Sequence, residues 1–226
     1  AKQNHSDAFY SLANLYEKGI GVDQDYSIAI KYYKLSSELN NSDALIKLGY
    51  FYENGYGAIQ SYIKAKECYE ASALLNNSDA LYSLGYLYEN GYDVAQNFAI
   101  AIIFYKSSIK QNNPNGLNRL GYLYENGYGV EKNYNEAKRY YKLAAKQNNS
   151  NALCNLGYLY DDGKGVKKNF FKARKYYILS AKLGNSNALY NLGLIYEEGK
   201  GVKIDYVKAR FFYTLSANKN NWRAIE

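Results

Sequence analysis

Written in rows of 36, the 226 residues of this chain align with themselves six times without a gap, and that periodicity limits the fold more than any other feature. Leu12, Leu48, Leu84, Leu120, Leu156 and Leu192 form one column. Ala13, Gly49, Gly85, Gly121, Gly157 and Gly193 follow it, and three positions further stand Tyr16, Tyr52, Tyr88, Tyr124, Tyr160 and Tyr196. Ala8, Ala44, Ala80, Gly116, Ala152 and Ala188 precede the leucines by four. Spacings of four, one and three place these side chains on one helical face, so each row opens with a helix, here called A.

Helix A is expected to stop at Gly19, Gly55, Gly91, Gly127, Gly163 and Gly199, where glycine takes the left-handed conformation at little cost. A short loop, Gly-Tyr-Gly-Val or Gly-Lys-Gly-Val in most rows, leads to Asp25, Ser61, Asn97, Asn133, Asn169 and Asp205, good N-caps for a second helix, B. In B a small column, Ala29, Ala65, Ala101, Ala137, Ala173 and Ala209, stands four residues before Tyr33, Tyr69, Tyr105, Tyr141, Tyr177 and Tyr213. Small is expected to face small across the hairpin. Another column, Asn41, Asn77, Asn113, Asn149, Asn185 and Asn221, should cap each helix A, with Pro114 at a first helical position.

These columns resemble the Sel-one-like repeat (SLR), a tetratricopeptide-type family with a longer inter-helix loop, and the resemblance covers the whole chain. It implies an all-α fold: a right-handed α-solenoid superhelix of six tandem helix-turn-helix repeats of 36 residues, with helix A on the concave side. It also implies a scaffold or adaptor for other proteins. The expected organisation is a single array over 1–226, with repeats at about 5–40, 41–76, 77–112, 113–148, 149–184 and 185–220, and the start of a seventh at 221–226. Asp93 and Ala95 alter the third loop, and Gly116 replaces an alanine of the fourth helix A. One hairpin of this size cannot bury its apolar stripe alone, so each must stack on its neighbours, and open ends invite end-to-end self-association.

The remaining composition narrows the functions. The longest apolar run, Phe98 to Tyr105, is far below the ~20 residues of a membrane helix, so no membrane insertion is expected, and a soluble chain is, with the cytoplasm favoured. Ala1-Lys2-Gln3-Asn4 repeats Ala145-Lys146-Gln147-Asn148, as an excised segment would. Cys68 and Cys154 occupy non-equivalent positions, which argues against a disulfide framework and for packing. The sole histidine, His5, stands where other rows place the cap asparagine and is expected in a loop. No nucleophile-base pair or converging metal ligands are apparent, so no catalytic residue, metal site or cofactor is expected. Asn4, Asn40, Asn76 and Asn148 open Asn-x-Ser sequons, which helix capping already explains.

Charge divides by helix. Six 13-residue A segments, starting at Ser6, Ser42, Ser78, Pro114, Ser150 and Ser186, carry 11 acids and 3 bases, a net of −8. The other 25 bases and 10 acids make +15, which brings the chain to +7. At contact positions typical of the family stand Tyr50, Tyr86, Tyr122 and Tyr158, beside Glu53, Glu89, Glu125 and Asp161, with Asn54, Asn90 and Asn126 adjoining. Tyrosine offers area at small entropic cost and carboxylates attract cations, so the expected partner is a protein with a basic or amide-rich, partly extended segment. Columns this regular would also follow from duplication of a framework without any ligand. Inward positions that vary between rows, among them Tyr82, Asn118, Arg119 and Asn155, are where local specificity would reside. Replacing Tyr86 and Tyr122 with Ala and Glu89 and Glu125 with Lys is expected to abolish capture while leaving helicity intact. The alternative is nucleic-acid or other polyanion binding by Lys-rich B helices, at Lys138-Arg139 with Lys142 and at Arg174-Lys175 with Lys167-Lys168. An acidic groove argues against nucleic acid.

Overall fold

The structure, a computed structural model, describes the backbone of residues 2–219 and side chains from residue 5. Twelve helices and no strand occur among the described residues. They pair as α1 (Lys2–Lys18) with α2 (Tyr26–Ser37), α3 (Ser42–Asn54) with α4 (Tyr62–Leu74), α5 (Ser78–Asn90) with α6 (Phe98–Lys110), α7 (Pro114–Asn126) with α8 (Tyr134–Lys146), α9 (Ser150–Asp162) with α10 (Phe170–Lys182), and α11 (Ser186–Glu198) with α12 (Tyr206–Ala217). The chain is therefore an all-α solenoid of six helix-turn-helix repeats. Its contacts divide it into two compact units of three hairpins each, Ala1–Asn113 and Pro114–Glu226. The start of a seventh repeat at 221–226 and the side chain of Asn4 lie outside the described residues.

Each hairpin is set by its caps. Asp25, Ser61, Asn97, Asn133, Asn169 and Asp205 all accept a backbone N–H from the first turn of the B helix that follows, satisfying a donor that the helix leaves open. Asn41, Asn77, Asn149 and Asn185 cap α3, α5, α9 and α11 in the same way. The residue before each of these caps turns the chain left-handed: Asn40, Asn76 and Asn148 lie at φ 58° to 62°, and Gly184 at 86°. The sequon asparagines are thus turn residues rather than caps, and asparagine tolerates that conformation better than most side chains. Asp93 keeps a left-handed backbone, φ 49°, where other loops carry glycine.

Two expectations need correction. His5 lies on α1 and is exposed, because it offers no cap oxygen where Asn41 caps α3 and the helix starts earlier, at Lys2. Small faces small only in part across the hairpin: Gly121 comes close to the Ala137 carbonyl, but the nearest neighbour of the helix A glycines is a ring. A methyl group built on Gly85 or Gly121 would stand 2.6 or 2.7 Å from the ring of Tyr105 or Tyr141, and Gly49, Gly157 and Gly193 face Tyr69, Tyr177 and Tyr213 likewise. The glycines make room for a flat phenol.

Between hairpins of one unit, α3 packs on α2, α5 on α4, α9 on α8 and α11 on α10. The cap asparagines take part a second time. Asn77 Nδ2 donates to Asp43 Oδ1 (2.9 Å), Asn113 to Asp79 (2.7 Å), Asn149 to Asn115 (2.9 Å) and Asn185 to Asn151 (2.8 Å), each a residue at the start of the preceding A helix. Burial follows from stacking. Leu48 is 3% exposed, whereas Leu12, with no hairpin before it among the described residues, is 37% exposed.

Candidate functional site

In the first unit the A helices line an open cleft of about 530 Å³. Tyr50 and Ile46 come from α3, and Tyr82, Ser83 and Tyr86 from α5. Its charged groups are Glu17, Lys47 and Glu53, a net of −1. Of the residues singled out from the sequence, Tyr50, Glu53, Tyr82 and Tyr86 meet here. Tyr50 is 45% exposed and packs edgewise against Phe51 and tilted against Tyr56. Tyr82 leans on Tyr105, and Tyr86 on Tyr92.

The carboxylate column is turned inward. Tyr69 Oη donates to Glu53 Oε2 at 2.6 Å, Tyr105 to Glu89 at 2.6 Å, Tyr141 to Glu125 at 2.7 Å and Tyr213 to Glu197 at 2.6 Å; Tyr33 donates to Glu17. The partners are always 16 residues apart, one on each helix of a hairpin. Burial, reinforced by the neighbouring carboxylate, pushes the phenols of Tyr33, Tyr69, Tyr141, Tyr177 and Tyr213 well above their ordinary range. Glu89 and Glu125 are 4% and 9% exposed, so Glu89→Lys and Glu125→Lys would dismantle the hairpins rather than probe a surface. Asp161 is the exception. Being one methylene shorter, it reaches Tyr177 only at 3.4 Å, and its buried Oδ1 has no hydrogen-bond partner, with Lys200 Nζ 3.9 Å away. Burial raises the Asp161 carboxyl and Lys200 opposes that shift.

Asn54, Asn90 and Asn126 donate to the carbonyls of Tyr50, Tyr86 and Tyr122, closing the ends of their own helices. In the second unit Asn155 Nδ2 donates to Asn118 Oδ1 (3.0 Å), and Arg119 lies 4.5 Å above the ring of Tyr122. Tyr158 is exposed and accepts from Lys164 Nζ at 2.7 Å. On the B helices, Arg139 is held by Glu136 (2.8 Å) and stacks on Tyr140, Lys138 donates to the Gly165 carbonyl, and Arg174 lies over Phe171. Several of the cations behind the polyanion reading are thus engaged by the protein itself.

Sequence reasoning overlooked Glu17 and Tyr69 as parts of the cleft. The signal was available: acid and tyrosine columns recur at a constant 16-residue offset. The cysteines are free. Cys68 replaces the ring that stacks on the helix A tyrosine in other repeats, as Phe104 does on Tyr88, and burial pushes its thiol up to about 11. Burial pushes Cys154 up to about 12, so neither is poised as a thiolate nucleophile. Among the described residues no cluster of three His, Cys, Asp or Glu side chains could hold a metal ion, and no helix is long and apolar enough to cross a membrane.

The Sel1 repeat model matches residues 6–41, 42–77, 78–113, 114–149, 150–185 and 186–221. This chain belongs to the Sel1 repeat family. A Sel1 repeat protein from Oxalobacter formigenes is similar at 31% identity and TM-score 0.81, over 96% of this chain and 86% of that one. The protective antigen c5321 of uropathogenic Escherichia coli, with an SLR fold, is 29% identical at TM-score 0.73, over 99% of this chain but 48% of its own. The immunity protein Pa5087 of Pseudomonas aeruginosa shares the fold at 23% identity, TM-score 0.69, over 95% of this chain and 82% of that one. No curated protein matches significantly. Sel1 repeat proteins generally mediate protein–protein interaction, and the repeat is typically a non-enzymatic scaffold.

Proposed function

We propose that this Sel1 repeat protein is a non-catalytic adaptor that holds an extended, basic or amide-rich segment of a protein partner on its A-helix surfaces. The observation that carries this reading is the cleft of the first unit. A concave, tyrosine-walled space with net negative charge suits a protein segment better than a polyanion. Tyr50, Tyr82 and Tyr86 are its contact residues, with Glu53 supplying charge. In the second unit Tyr122 and Tyr158, with Asn118, Arg119 and Asn155, form the corresponding surface.

The test is cross-linked capture of the partner from the native source, with Tyr50→Ala plus Tyr86→Ala as control. Truncating two aromatic anchors at an interface is expected to cost about 2 kcal/mol or more and so remove most of the captured partner, with the thermal midpoint near wild type. Capture that survives both changes places the partner elsewhere.

A further inference from the structure

Lys47 Nζ donates to both carboxylate oxygens of Glu17, at 2.8 and 3.0 Å. Lysine and glutamate belong to the A helices of successive repeats, 30 positions apart. The same step taken from Glu53 arrives at Ser83. The second acid of the first unit therefore has a short hydroxyl where the first has an ammonium, and among the described residues no ion pair reaches Glu53. Tyr69 holds Glu53 through Oε2.

The cleft opens at this place, with Glu53 and Ser83 both on its wall. Around them stand Tyr50, Tyr82 and Tyr86, and aromatic faces favour a cation. The pair of Lys47 with Glu17 is a template inside the same unit: it shows that a cation on this face can reach both oxygens of the column carboxylate. With Ser83 in the next repeat, that cation must come from outside.

We infer that the cleft is a socket for one lysine or arginine side chain presented by an extended segment of a partner protein, with the free edge of Glu53 as its acceptor and Ser83 as the gap that admits it. The inference rests on the partner-binding reading of the cleft and adds the side chain that the site selects.

The probe is an array of short capped peptides of random sequence around a fixed centre: arginine, lysine, citrulline, norleucine or glutamate. The intact 226-residue chain is applied as wild type and as Ser83→Lys. Arginine- and lysine-centred peptides are expected to bind at least about tenfold better than citrulline- or norleucine-centred ones. Ser83→Lys should erase that preference while its thermal midpoint stays level or rises, because the new lysine rebuilds the internal pair. Equal binding of arginine and citrulline peptides, a preference that persists in Ser83→Lys, or no binding to any peptide overturns the socket. If the native partner is still lost in Tyr50→Ala plus Tyr86→Ala, the socket alone has failed; native capture indifferent to those changes removes the surface reading and the socket with it.

Discussion

A phenol on helix B and a carboxylate on helix A meet in every repeat, and this bond accounts for residues that the sequence presents as a surface feature. Hydrogen bonds to charged groups are worth about 1.5–3 kcal/mol, and an unsatisfied buried acceptor costs a similar amount. Asp161 shows what the length of the acid contributes. Its oxygen lies 3.4 Å from Tyr177, against 2.6 to 2.7 Å for Glu53, Glu89, Glu125 and Glu197, and one of its buried oxygens lacks a partner. Asp161→Glu should therefore stabilise the second unit by about 1 kcal/mol, read as a higher denaturant midpoint at unchanged slope. A lower midpoint would mean that the extra methylene finds no room.

The helix pair is held by glycine against ring, and neighbouring pairs by asparagine. Asn77 serves both helices: Oδ1 accepts N–H groups at the start of α5, while Nδ2 donates to Ser42 and Asp43 on α3. Aspartate caps a helix as well as asparagine does. Asn77→Asp nevertheless replaces the donor with a second negative charge beside Asp43, so it is expected to destabilise the first unit by about 1–2 kcal/mol. If thermal melting shows no loss, the link between hairpins carries no energy and the cap alone matters.

Across the whole molecule, stability depends on keeping phenols neutral. Tyr33, Tyr69, Tyr141, Tyr177 and Tyr213, whose phenols are pushed up furthest, bind their protons more tightly folded than unfolded. Their contribution is intact below the ordinary tyrosine value of about 10 and is lost as pH rises above it, since the unfolded chain releases those protons first. Ultraviolet titration should show these five phenols ionising only together with loss of helical circular dichroism. Ionisation of all 29 tyrosines in one phase with helicity retained would contradict this. Stacking adds its own gradient, as the contrast between Leu12 and Leu48 shows.

The period, helix ends and loop caps were legible in the amino-acid order, because each depends on a residue and its near neighbours: a glycine at φ 72°, such as Gly55, or an asparagine oxygen on an N–H three residues on. The function of the acidic column was not, since Glu89 could equally face a partner or Tyr105, and only the packing of α5 on α6 chose between them. The glycine column is visible in the sequence, but that Gly85 makes room for the ring of Tyr105 is decided only by the packing of helix on helix. The socket at Glu53 likewise needs three helices to exist. Local propensity determined the elements of this protein; which side chains remain available for binding was decided by what the hairpins consume in holding one another.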